Sequence, residues 1–170
     1  MFGFRSLAAC SLATLMLFPL GCGGAGRPKL VAVEGTVTLN GAPLEGATIM
    51  FMPVDAGSAD FQRPSTAVTD AQGKFVASTY TTGDGLAIGK YQLGIEKKEL
   101  VGDLPKGFDS EQPELSRVRY KLIVPKQFRD PTTSGLSAEV TSGGLQPAVI
   151  ELNSEGAPEI EVLGTGPASA

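Results

Sequence analysis

The 170-residue chain contains no histidine, and its two cysteines, Cys10 and Cys22, both fall within the first 22 residues. Without an imidazole the chain lacks the commonest general base near neutral pH and the commonest metal ligand, so histidine-dependent triads and zinc proteases are excluded. Neither thiol lies where a folded body can form, so no disulfide closes within that body. The hydroxyls of Thr132-Thr-Ser-Gly135 have no histidine partner, and no Ser-x-x-Lys pattern supplies a lysine in its place. Turn chemistry explains them. Asp55, Asp60, Asp70 and Asp84 offer the oxygen ligands that calcium takes, but no Asp-x-Asp-x-Asp-Gly spacing gathers them, and they read as solvated turn acids. Tyr80, Tyr91, Phe61, Phe108 and Phe128 are the material for a sugar-stacking platform, yet there is no Trp and the alternation around Tyr91 turns it inward. No catalytic residue, metal ligand or cofactor is expected, and no ligand-binding residue is assigned.

The elements that must position these side chains are short strands. From Val31 to Leu39 the odd positions Val31, Val33, Val37 and Leu39 are apolar, broken only by Gly35, and the even ones polar from Glu34 onward, which is a half-buried strand. Asn40-Gly41 then signals a hairpin, and a second alternation (Ala47, Ile49, Phe51) begins after Gly46. Asp55 to Pro64 reads as a surface loop. Ser65 to Thr69 and Lys74 to Tyr80 flank a tight connection, Asp70 to Gly73, and Phe75, Ala77 and Thr79 point to the core. Lys90 to Lys97 turns Tyr91, Leu93 and Ile95 to one face. Glu99 to Arg117, with five acids and two prolines, reads as an irregular, mobile excursion. Val118 to Val124 is strand-like up to Pro125, and 127–135 is a structured crossover. Leu136, Ala138 and Val140 alternate, Ser142-Gly143-Gly144 turns, Ala148, Ile150 and Leu152 alternate again, and Ile160 and Val162 add an edge strand.

No stretch after the first thirty residues carries a 3.6-residue apolar period, and 22 Gly with 12 Pro describe a turn-rich chain. The fold class read from this spacing is all-β, an antiparallel β-sandwich of about seven or eight strands. A net charge of −4 with interspersed signs leaves no basic stripe for phosphates, so nucleic acid is not an expected partner.

Residues 1–21 carry one early cation, Arg5, and an apolar run from Leu7 to Leu20 without an acid, the pattern of a secretory signal peptide. That run is shorter than the ~20 residues of a spanning helix. Leu20-Gly21-Cys22 resembles the bacterial lipobox, which implies lipidation of Cys22 and a membrane partner through that lipid. The chain departs from the pattern at Pro19, where leucine is usual. Loss of Arg5 with the leader takes the net charge from −4 to −5. Residues 22–29 then form the lipidated cysteine and a glycine-rich tether, with a root-mean-square span of roughly 15 Å. A sandwich over 30–163 and a disordered tail over 164–170 complete the expected organisation. Gly23 stands where an aspartate commonly retains a lipoprotein at the inner membrane, so by analogy the outer membrane is favoured.

Three segments, Val33 to Ala47, Thr69 to Phe75 and Ile88 to Leu93, are together similar to the carboxypeptidase-regulatory-like domain, a transthyretin-like (prealbumin-like) sandwich of bacterial envelope proteins. The run Val124-Pro-Lys-Gln-Phe-Arg-Asp-Pro-Thr-Thr-Ser-Gly-Leu136 further resembles the C-terminal half of small bacterial lipoproteins with that domain. The resemblance implies a fold, an envelope location and no catalytic residues. Its functional expectation is a structural or protein-binding module; the alternative is a small-ligand or glycan binder using loops at one end of the sandwich. Some related domains join a first-strand lysine to a last-strand asparagine; Lys29 and Asn153 are the pair nearest suitable places, and Lys29 reads as solvated.

Overall fold

The computed structural model describes residues 27–57, 61–109, 111–112 and 117–164, so the leader, Cys22, Asp60 and the end of the tail lie outside the described residues. Among the described residues alternation dominates: fourteen strand segments, eight of them four residues or longer, with one 3-10 turn at Lys126–Phe128 and no α-helix. The longest strands build a five-stranded antiparallel sheet ordered β12 (Gly144–Gln146), β11 (Leu136–Thr141), β8 (Gly89–Glu96), β4 (Thr48–Ala56) and β5 (Ser65–Val68). Against it packs a smaller sheet centred on β2 (Glu34–Leu39), with β13 (Val149–Leu152) on one side and β3 (Ala42–Pro43) and β6 (Lys74–Val76) on the other. Two short ladders complete the body: β1 (Leu30–Val31) with β7 (Leu86–Ala87), and a three-stranded sheet of β9 (Lys98–Leu100), β10 (Val118–Leu122) and β14 (Ile160–Leu163).

Both main sheets turn their apolar phase to one shared core, so the described residues are all-β and sandwich-like. Val33, Val37, Ile49, Phe51, Leu93 and Ile95 are fully buried, as the two-residue period requires. Phe51 on β4 spans the layers, its ring 5.9 Å from Phe75 on β6 and 6.3 Å, edge-on, from Tyr91 on β8. The break at Gly35 has a packing cause. A Cβ there would meet Phe75 Cζ at 2.6 Å, so the Phe75 ring occupies the space that a β2 side chain would have filled.

Asn40 (φ 51°) and Gly41 (φ 80°) make the two-residue turn that their sequence announces, pairing Leu39 with Ala42. The returning arm is only two residues long, however. The second alternation leaves for the other sheet, where β4 pairs with β5 and β8. The connection at Asp70–Gly73 likewise carries the chain between sheets: β5 pairs with β4 and β6 with β2, and one bridge, Thr66 to Ser78, joins the two across the seam.

A wholly antiparallel sandwich is corrected at one place, because β2 and β13 run parallel, Thr36 opposite Val149 through Leu39 opposite Leu152. A tight hairpin cannot make such a pair; the long route through the other sheets between β2 and β13 can. Glu99 and Leu100, assigned to the irregular excursion, belong to β9 and pair with Lys121 and Tyr120. Ala148 is exposed although Ile150 and Leu152 in the same phase are buried, since β13 begins only at Val149.

Candidate functional site

The outward phases of four strands make an open groove of about 770 Å³ that runs across β5, β6, β2 and β13. Alternation dictates its lining. Ser65 and Ala67 point inward, so Thr66 and Val68 point out; Phe75 points inward, so Lys74 and Val76 point out. Val68 (62% exposed), Val76 (47%) and Val149 (46%) therefore place three β-branched apolar side chains on a surface where alternation normally puts polar ones. Glu34, Asp70 and Lys74 add charges along the same groove. The Asp70 carboxylate accepts from the backbone N–H groups of Gln72 and Lys74, at 2.9 and 2.8 Å, and so fixes the turn at one end.

A second cluster gathers where the chain enters the domain. Asp84 accepts from the N–H groups of Thr79, Tyr80 and Thr81 at 2.7 to 2.9 Å. Burial pushes its carboxyl up, but these three donors and the Thr81 hydroxyl together hold it below the ordinary value. The Thr79 hydroxyl donates to the Gly85 carbonyl and lies 2.8 Å from Ser65 Oγ, so the loop is pinned to β5. Tyr80 on this loop carries two guanidinium groups, Arg27 at 4.5 Å and Arg63 at 5.1 Å from its ring centre, and Arg63 Nε donates to Thr79 O.

The third cluster is the crossover after β10. Gly94 on β8 is buried, and a Cβ there would strike the Arg129 carbonyl oxygen and Pro131 Cδ, the latter at 2.8 Å, so the crossover rests directly on the β8 backbone. Ser134 Oγ donates to the Leu93 carbonyl at 2.6 Å, while Asp130 Oδ1 accepts from Thr132 N and Oγ1, both at 2.8 Å. The Thr132 N–H, followed by its hydroxyl, holds Asp130 below the ordinary aspartate value. From this platform Arg129 forms a fork on Glu161 of β14, at 3.0 and 2.8 Å, and lies 3.5 Å from Glu96 at the end of β8. Lys98 also sits 3.1 Å from Glu96, yet Glu96 Oε1 and Arg129 Nε make no well-aligned hydrogen bond, so Coulomb attraction holds that side of the cluster. These residues tie the three-stranded sheet to the sandwich.

The hydrogen bonds from Arg129, with its charge and that of Lys126, hold the Glu161 carboxyl below its ordinary value of 4.5 against a smaller opposing effect of burial. A lowered folded-state value means that the ionised form stabilises the fold; the contribution is present above the unfolded value and is lost as pH falls through the folded one. The stability gap between wild type and Glu161→Gln, measured by denaturant unfolding, is expected to be open at about pH 7 and to close towards about pH 3.

The residues singled out in the sequence do not converge. Tyr91 is buried, its hydroxyl donating to Ala87 O at 2.8 Å, with burial pushing its value up to about 12. Phe61 is also buried, and Phe128 packs on the core. Asp55 is exposed on β4 opposite Lys90, far from the roles of Asp70 and Asp84 in their own turns. Lys29 and Asn153 are both exposed to solvent. Among the described residues no group of three or more Asp, Glu, Cys or His is placed to hold a metal, and no helix is long and apolar enough to cross a membrane. The groove valines and the Arg129–Glu161 fork are not among the residues that the sequence pattern singles out. Val68 and Val76 had a readable signal, being apolar residues in the polar phase of their strands; the fork, 32 residues apart, had none. No family model, curated protein or solved structure matches the chain.

Proposed function

We propose that this chain is a lipid-anchored, non-catalytic β-sandwich module of the bacterial cell envelope, of the carboxypeptidase-regulatory-like, transthyretin-like kind, that acts by binding another protein. The observation that carries the reading is the groove across β5, β6, β2 and β13, where Val68, Val76 and Val149 are exposed between charged residues. An open trough with an apolar floor and a charged rim suits a protein surface better than a small molecule, which needs a deeper enclosure. The alternative, a glycan or small-ligand binder working through loops at one end, finds less support. Two of the candidate aromatics, Phe61 and Tyr91, are in the core. The anchor reading places Cys22 as the lipidated residue, facing the periplasm or the exterior, with the outer membrane favoured.

Photo-reactive side chains placed at Val76 and at Val149 in the native envelope are expected to give the same protein adduct, and one placed at Val54, exposed on β4 outside this groove, none. Val68→Glu should abolish the adduct while leaving the free energy of unfolding within about 0.5 kcal/mol of wild type. Adducts of equal yield at all three positions, or none at Val76 and Val149, would refute the binding role.

A further inference from the structure

We infer that the end of the domain where the chain enters is a surface for anionic phospholipid headgroups, formed by Arg27, Lys29, Arg63, Tyr80 and Ile88. The inference rests on the lipid anchor at Cys22 proposed above and adds a second, electrostatic contact between domain and bilayer.

Five features meet there. Arg27 and Arg63 both stack on Tyr80, which orients two guanidinium groups around one amphipathic ring. Both arginines and Lys29 are exposed. Lys29 precedes Leu30, which pairs with Ala87; one step further along the same ladder lies Ile88, 50% exposed, whose carbonyl accepts from Gly57 N at 2.9 Å. A side chain at Gly57 would meet Pro28 Cβ at 3.0 Å and Ala87 Cβ at 3.3 Å, so the entering segment, the start of the 57–63 loop and β7 lie side by side. Asp84, the acid nearest Tyr80 in this loop, is committed to three backbone N–H groups rather than to either arginine.

The chemistry of the partner follows. The whole chain is acidic, at −4, yet these residues set three cations beside a tyrosine and an exposed isoleucine, the pairing of basic heads with amphipathic and apolar side chains that suits a membrane interface. Distance supplies the second argument. Four residues separate Cys22 from Arg27, so a lipidated Cys22 keeps Arg27 within about 18 Å of the anchored residue even with the tether fully extended. The surface potential of an anionic leaflet decays over about 8 to 10 Å, so this end of the domain spends its time inside or at the edge of that field. A rigid cationic corner on so short a leash orients the domain, turning the opposite end away from the bilayer.

The test uses the full chain as purified from membranes, reconstituted in vesicles of phosphatidylcholine alone or of phosphatidylcholine with phosphatidylglycerol. Mass spectrometry reads acylation at Cys22 and the rate at which a water-soluble amine reagent modifies Lys29, with Lys121, exposed on the three-stranded sheet, as the internal reference. Lys29 is expected to react about fivefold more slowly, relative to Lys121, when phosphatidylglycerol is present, and to recover at high salt. Arg27→Ala/Arg63→Ala should bring the ratio back to within about twofold of the phosphatidylcholine value. An acylated protein whose Lys29 reacts equally in both vesicles overturns the headgroup contact and leaves the anchor standing. If Cys22 carries no lipid, the anchor fails by itself, and flotation of the same chain decides the headgroup contact: phosphatidylglycerol-dependent flotation supports it and equal flotation with both vesicles overturns it.

Discussion

Phe51→Ala is expected to lower the stability of the domain by about 3–5 kcal/mol and its melting temperature by roughly 10–15 °C. The size follows from position. Phe51 is fully buried on the interior strand β4, opposite Leu93 of β8, and its ring meets Phe75 from the facing sheet and Tyr91 from the neighbouring strand. Truncation removes the transfer free energy of the ring and leaves a void between two sheets whose backbones are held by ladders on both sides, so little collapse can fill it. Thermal unfolding monitored by circular dichroism measures the effect. A loss below about 1 kcal/mol would mean that the two layers do not share a core through this residue.

Gly94→Val is expected to cost about 3 kcal/mol through a different cause, overpacking. The side chain would be driven into the Arg129 carbonyl and the Pro131 ring, and neither is the free end of a flexible group. Relief requires the crossover to lift from β8. That movement withdraws Ser134 from the Leu93 carbonyl and Arg129 from Glu161, so the variant should also lose much of the acid sensitivity conferred by Glu161. Gly143→Ala supplies the control: its nearest atom would be Thr141 Oγ1 at 3.6 Å, an ordinary contact, and its stability should stay within about 0.5 kcal/mol of wild type. Denaturant unfolding of both variants at neutral and acid pH separates a lifted crossover from a general loss of packing.

Much of this architecture was legible because burial and the two-residue period coincide wherever a strand has one wet face. Val33, Val37, Ile49, Phe51, Tyr91, Leu93 and Ile95 follow that rule, and Asn40-Gly41 makes the turn its backbone preferences favour. Period alone says which side of a strand is dry. It does not say which strand lies next to it. The connections after Pro43 and Gly73 therefore look like returns along one sheet and prove to be passages between two, since β4 pairs with residues of β8 that lie far along the chain, such as Phe51 with Leu93 and Thr48 with Glu96. The parallel neighbour of β2 was hidden for the same reason.

The candidate surface was partly legible as well. Val68 and Val76 break the polar phase of their strands, but only the folded arrangement sets them beside Val149. The Arg129 fork and the arginine pair on Tyr80 join residues whose separation in the chain follows no local period, and so left no trace in the sequence pattern.

The side-by-side run of β2 and β13 has a consequence for how the molecule assembles. Asn40, at the tip of the first turn, exchanges hydrogen bonds with Ser154, 114 positions away, just past the end of that pairing. A polypeptide made from its amino end must hold β2 with only β3 and β6 for company until the last quarter of the chain arrives. Closing so large a loop costs entropy that grows with the logarithm of its length, and pairing this distant in sequence slows folding. Until β13 docks, the open flank of β2 is the place where a chaperone would have most to protect.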